Sequence, residues 1–378
     1  LPDTRRMANF ELLRLLAMLM VVCLHYLPHA EALTDVRLPG SGVQLLGNFL
    51  EALCIAAVNL YVLITGYFLS ASRFRFRRIF LLLAEILFYA LLIPVCLSAI
   101  GIPLSGRGVW SAWFYLFPVS MESYWFITAY VILYLFAPLL NAGLDALTEK
   151  QLRALILCLL FFYSFLPSLS PVRLTSDRFG YDAGWFFVLY LTAGYIRRYG
   201  LPRLEDPRRA AVLYFGSAAG IWLLSVLLHH IAYVRGSLLY YAEVPFHYNF
   251  ILCFTAALGL FAWFRLLRVP EGAAAALIRR AAPLTLGVYL IHENIDIRDR
   301  WTGALEKLFG PVPQGILLPL HMLGCVLVLY LCCLAADGIR SVLFSRVGRA
   351  LSRTWAARAL ERLDGLFDRT EMSGRKRE

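Results

Sequence analysis

Apolar runs of about 20 residues, the length that crosses a bilayer, recur ten times along the chain. They lie near 9–28, 43–70, 79–100, 123–141, 152–169, 184–196, 210–230, 247–267, 282–292 and 314–336. The sixth and ninth are short, so they either extend into flanking polar sequence or are partly re-entrant. Pro94, Pro138 and Pro167 fall near helix ends or kink helices whose freed carbonyls are satisfied by neighbours. The pattern predicts an all-α, polytopic membrane helix bundle of about ten transmembrane helices. The first run is followed by no small-residue cleavage site and reads as a retained helix, not a signal peptide. No inverted repeat of the transporter kind stands out.

Composition sharpens this. Of 378 residues, 60% are apolar, 14% aromatic and only 16% charged, against about 45–50% apolar and about a quarter charged in soluble domains. A soluble enzyme is excluded, and residues 1–336 read as one transmembrane domain followed by a basic tail, 337–378. The net charge of +11 would suit nucleic acid, but its distribution follows the membrane. With the amino terminus inside and ten alternating spans, 27 of the 36 Lys and Arg fall on the inner side and 8 outside, Arg14 lying within the first span. That asymmetry predicts N-in, C-in topology, with membrane lipids as partners and no nucleic acid. From Ile339 to about Phe367, Leu343, Val347, Leu351, Trp355 and Leu363 recur at helical spacing among arginines. Either an amphipathic helix on the inner leaflet or a solvated basic tail follows. The eight cysteines all lie in apolar runs without a CxxC pair, so packing thiols are expected rather than disulfides or a zinc site.

Chemistry concentrates at a few points. Arg14 and His25 are eleven residues apart, which returns to within about 20° of one helix face and separates them by about 16 Å along the axis. Glu11 can neutralise Arg14 on that face. Arg14 snorkelling inward and His25 wetting the outer interface is one reading. The other is a pathway through the bundle, because lipid-facing ionisable groups are costly. Histidine takes and returns a proton near neutral pH and could serve as base toward a hydroxyl that attacks a carbonyl. Arg14 lies too far below it to be the oxyanion partner directly and better suits an anionic part of a donor. Arg73, Arg75, Arg77 and Arg78 follow the second run. They fit bidentate phosphate recognition or plain positive-inside anchoring. Tyr124 and Trp125 open the fourth run as an interface belt would. Tyr289, His292 and Glu293 end the ninth in a polar cluster, which binds a sugar or is simply solvated.

These pieces together resemble the integral-membrane acyltransferases of acyltransferase family 3, which O-acylate bacterial surface glycans and some lipids and small molecules. Arg14 with His25 matches the family's first helix. Asn59 to Leu69 is similar to its Phe-Phe-x-x-Ser-Gly-Tyr block, with Thr65 for the usual serine. Arg75-Phe-Arg-Arg78 reproduces its Arg-x-x-Arg motif, and Tyr124-Trp-Phe and Gly287 to His292 resemble two later blocks. The likeness covers residues 5 to about 336.

The resemblance implies a bacterial plasma-membrane, multi-pass enzyme. His25 would be the catalytic base and Arg14 its functional partner. Arg75 and Arg78, with Arg73 and Arg77 beside them, would bind acyl-CoA, expected to be acetyl-CoA, from the cytoplasm. Trp125, Tyr124, Tyr289, His292 and Glu293 are the expected substrate contacts for a carbohydrate or glycolipid acceptor outside. No metal is needed for thioester-to-alcohol transfer. Some members carry a fused extracellular hydrolase-like domain, whereas this chain is expected to work alone or with a separate partner. The competing reading is a transporter or flippase of lipid-linked sugars, which would need no proton on His25.

Overall fold

A backbone in hydrocarbon has no water to bond, so each span must satisfy its own amides, and helices do so residue by residue. In the computed structural model, which describes residues 6–33, 41–105, 111–313, 315–351 and 355–366, every expected apolar run is helical. The first is α1 (Ala8–His29). The second divides at Ile55 into α2 (Gly42–Cys54), opened by a Ser41 capping box, and α3 (Ala57–Leu69). Then come α4 (Phe76–Ala99), the short α5 (Ala112–Leu116) and α6 (Trp125–Ala146). The fifth run is α7 (Glu149–Leu160), a π turn over Phe161–Phe165 and α8 (Leu166–Leu169).

The chain continues with α9 (Ala183–Tyr199), α10 (Pro207–Arg235), α11 (Leu239–Glu243) and α12 (Ile251–Leu266). The ninth run is α13 (Ala273–Ala281) and α14 (Thr285–His292), joined by a 3-10 turn at Pro283. Last are α15 (Trp301–Phe309), α16 (Leu318–Leu351) and α17 (Trp355–Gly365). Nine segments among the described residues are long and apolar enough to cross a membrane. The remaining expected span, the sixth run, is α9, whose 17 residues reach about 26 Å against a hydrocarbon core of about 30 Å. It is well enclosed by the bundle, with Trp185, Phe186, Leu189 and Tyr190 fully buried.

The connectors fall on two opposite faces, and hydrogen bonds across each face fix the assignment. On one, Asn9 Nδ2 donates to Phe264 O at 3.0 Å, Arg198 pairs with Asp145 at 2.7 Å and Arg265 with Glu205 at 2.6 Å. On the other, Asn294 Nδ2 donates to the Tyr124 hydroxyl at 3.2 Å and Tyr248 N–H to Phe179 O at 3.0 Å. There Asp296 also holds the Ser105 amide at 2.6 Å and the Tyr115 hydroxyl at 3.0 Å. Arg14 and the arginines from 73 to 78 lie toward the first face, His25 and Glu293 toward the second.

Apolar burial drives little association between helices surrounded by lipid, so packing of small residues and interior hydrogen bonds must hold them. Gly66 lets α3 touch α9, since a Cβ there would come within 2.8 Å of Ala193 Cβ and 2.9 Å of Tyr190 Cα. Asn59 donates to Tyr248 O at 2.7 Å and accepts from Trp185 Nε1 at 2.9 Å. Asn141 does the same between Leu69 O and the Tyr190 hydroxyl. All eight cysteines are free.

The carboxyl-terminal segment differs from the expected single amphipathic helix over 339–367. With no proline after Asp337, α16 continues unbroken through the boundary expected at 336/337 as far as Leu351. Asp337 and Arg340 are buried. Arg340 pairs with Asp337 at 2.7 Å and with Glu85 of α4 at 3.0 Å, while the Tyr89 hydroxyl donates to Asp337 at 2.8 Å. A second helix, α17, packs on α4 and seats Asp364 against the Arg77 amide at 3.4 Å. Residues 352–354 and 367–378 of the expected tail lie outside the described residues.

Removing the cation from this cluster strands two buried carboxylates. Arg340→Ala should lower stability by about 3–5 kcal/mol, read as a drop in the thermal midpoint of purified protein in detergent.

Candidate functional site

His25 sits one turn from the end of α1. Its Nδ1 lies 2.9 Å from His292 Nε2 and 3.2 Å from Glu293 Oε1. These three residues, 267 positions apart in sequence, come together because α14 packs directly on α1. Proton positions follow from one contact. His292 Nδ1 lies 2.6 Å from Val288 O, and a carbonyl only accepts, so that nitrogen carries the hydrogen. His292 Nε2 then offers a lone pair, and His25 Nδ1–H must donate to it. The remaining ring nitrogen of His25, Nε2, is left with the lone pair a base needs.

The site behind His25 is closed. His292 is fully buried, and α14 is pinned above it where the Tyr124 hydroxyl donates to Leu290 O at 3.0 Å. Glu293 lies just past α14, outside the spans, and burial pushes its carboxyl up from 4.5 to about 7. The ligand atoms of His25, His292 and Glu293 lie within 4.8 Å of one another, close enough for a divalent metal. The 2.9 Å His25–His292 separation, however, is that of a direct N–H···N hydrogen bond, and the fixed tautomer of His292 supplies its acceptor.

In front of His25 is a cavity of about 350 Å³, also lined by Arg14, Tyr61, Trp125, Tyr130, Tyr248 and Tyr289. A second cavity of about 350 Å³ opens toward the other face past Ser72, Arg78 and Tyr134. Both share Arg14, Thr65, Leu82 and Tyr130, so they adjoin at these residues. Arg14 is held by Glu11 at 2.7 Å, and its helix is fixed where Tyr61 donates to Arg14 O at 2.8 Å and Tyr330 to Leu15 O at 3.0 Å. The two cavities, mostly apolar in lining, thus follow one another from Arg78 past Arg14 to His25.

A family profile described as an acyltransferase domain matches residues 7–347. The chain belongs to acyltransferase family 3. No curated protein and no solved structure matches it.

In this acyltransferase the expected site residues separate into groups. Arg14, His25, Trp125 and Tyr289 line the joined cavity, as does Arg78 at its far mouth. Arg75 and Arg77 flank that mouth at the start of α4. Arg75 pairs with Asp364 at 3.9 Å, and its peptide is clamped by the Tyr134 hydroxyl. Arg73 stands in the preceding turn and is not among the lining residues. Tyr124 is buried against α14, and His292 and Glu293 lie behind His25, so these three back the site instead of lining it. Tyr61, Thr65, Tyr130 and Tyr248 also line the cavity, and of these the sequence marks only Thr65. Thr65 occupies the serine position of the second-run block, and the three tyrosines lie in apolar runs where an aromatic ring carries no distinguishing pattern.

The raised carboxyl of Glu293 gives a pH signature of stability. The native state holds its proton up to about pH 7 while an unfolded chain releases it near 4.5, so stability falls as pH rises between those values and levels off above. Glu293→Gln should flatten that slope in melting curves from pH 4.5 to 8.

Proposed function

We propose that this membrane acyltransferase moves an acyl group, expected to be acetyl, from cytoplasmic acyl-CoA to a hydroxyl of a cell-envelope carbohydrate on the outer side of a bacterial plasma membrane. The observation that carries this reading is the joined cavity, with Arg78 at one mouth, Arg14 at the waist and His25 at the other end. The excess of Lys and Arg on the Arg78 face supports placing that face in the cytoplasm. A flexible pantetheine arm threaded from the arginines would bring its thioester toward His25, a distance of about 16 Å past Arg14 along α1. The CoA phosphates would stay with Arg75 and Arg78, with Arg73 and Arg77 adding field at the α4 amino terminus.

The chemistry follows from the hydrogen-bond direction. His25 Nε2 removes the proton of the acceptor hydroxyl as its oxygen attacks the thioester carbonyl. The imidazolium formed is stabilised through Nδ1–H by His292 Nε2 and by Glu293 Oε1, both of which accept from it, with no proton leaving this pair of contacts. The tetrahedral adduct collapses by breaking its C–S bond, and the departing CoA sulfur takes the proton back from His25 Nε2. Every atom is accounted for by donor, acceptor and this one histidine. Family membership favours acyl transfer over transport of lipid-linked sugars.

The test is radiolabelled acetyl-CoA given to protein in nanodiscs, with CoA release and label transfer both measured. His25→Ala should abolish both, and turnover surviving it unchanged would overturn the base assignment. His292→Ala should lower kcat about 10²-fold with little change in the KM for acetyl-CoA. Arg75→Ala with Arg78→Ala should raise that KM at least tenfold, and unchanged affinity would return the cluster to membrane anchoring.

A further inference from the structure

At the His25 end of the cavity, three aromatic rings from three parts of the chain meet. Trp125 and Tyr248 lie 5.6 Å apart at 24°, Trp125 and Tyr181 are 4.4 Å apart, and Tyr181 and Tyr248 are 4.8 Å apart. Trp125 and Tyr248 line the cavity beside His25. Tyr181 stands in the loop before α9 and is 47% exposed, so the cluster reaches from the reaction chamber to the outer surface.

The loop that holds Tyr181 is built under constraint. Phe179 adopts φ +60 and Gly180 φ +82. A bulky residue such as phenylalanine in the left-handed region persists only where its surroundings over-determine it. The surroundings here do so. Asp177 Oδ1 accepts from the Phe179 amide at 2.9 Å and from Asn249 Nδ2 at 2.8 Å, and Phe179 O accepts from the Tyr248 amide. The Phe179 ring packs on His247 at 4.3 Å with the Arg173 guanidinium over it at 4.9 Å. Gly180 is squeezed against α12's approach, where a Cβ would lie 2.8 Å from both the Asn249 amide nitrogen and Tyr248 Cβ. All of this fixes one outcome, a half-exposed tyrosine laid against Trp125.

We propose that Trp125, Tyr181 and Tyr248 form a stacking platform for the pyranose ring of the acceptor. This rests on the acyltransferase reading above and deepens it by naming the ring-binding surface. One face of a pyranose presents C–H groups with partial positive charge, which suit the negative faces of aromatic rings. The near-parallel Trp125 and Tyr248 both border the cavity and make one aromatic surface, whereas a quaternary ammonium needs rings on several sides. A sugar seated on that surface is held at the border of the chamber that His25 lines, and the Tyr181 edge extends it outward for a longer glycan.

Binding is measured apart from turnover, by saturation-transfer difference NMR on protein in nanodiscs. The probes are methyl glucopyranoside, galactopyranoside, mannopyranoside and rhamnopyranoside, with sorbitol as the open-chain and choline as the cationic comparison. At least one pyranoside should take saturation on the C–H groups of a single face. Tyr181→Ala should weaken it roughly tenfold, Tyr181→Phe should keep affinity within about twofold, and His25→Ala should still bind. No saturation of any pyranoside, equal saturation of sorbitol or choline, or wild-type binding by Tyr181→Ala overturns the platform. Since His25→Ala binds without turning over, loss of the platform and loss of the acyl-transfer reading give different results.

Discussion

A single backbone carbonyl sets the hydrogen-bond direction around His25. Val288 O accepts from His292 Nδ1–H, and from that contact the hydrogen on each ring of the His25–His292 pair is assigned. Had Val288 been oriented otherwise, His292 could hold its hydrogen on either nitrogen, and His25 could point its lone pair away from the cavity. A histidine in hydrocarbon is adaptable in protonation, and a fixed acceptor one helical turn earlier removes that freedom. The short α14, the Tyr124 brace on Leu290 and the packing of α14 on α1 all serve to keep this geometry.

The same economy governs the other ionisable groups within the spans. Arg14 is never presented alone, because Glu11 lies one turn before it. Arg340 stands between Glu85 and Asp337, and Gly287 leaves room for the Asp337 carboxylate against α14. Charge inside a membrane is tolerable when its partners are supplied by the bundle. Here the partners also connect helices, so the ionic cluster ties α4 and α16 to the helix that carries His292.

Much of this was legible in the chain. The apolar runs are long enough that hydropathy alone locates each helix, and the eleven-residue spacing puts Arg14 and His25 on one face of α1. The division of the second run at Ile55 was not visible, because neither proline nor glycine stands at the break between Cys54 and Ala57. His292 and Glu293 read from sequence as substrate contacts. Their place behind His25 depends on a tertiary contact between residues 267 positions apart, which no local pattern records. The tail was misread for a related reason: helical propagation from α16 continues past the end of the hydropathy signal, and Asp337 and Arg340 look like the start of a polar segment until Glu85 is placed beside them.

That continuity redefines where the membrane unit stops. A boundary drawn at the last apolar residue of the tenth run would sever α16 within its ionic clamp, discarding Asp337 and Arg340 while leaving Glu85 in place. The stump would keep every residue of the hydropathy profile and lose the counter-charge of α4. For this protein the end of greasiness and the end of the scaffold are different positions, since α16 runs about fifteen residues further and α17 beyond it still seats Asp364 on the start of α4.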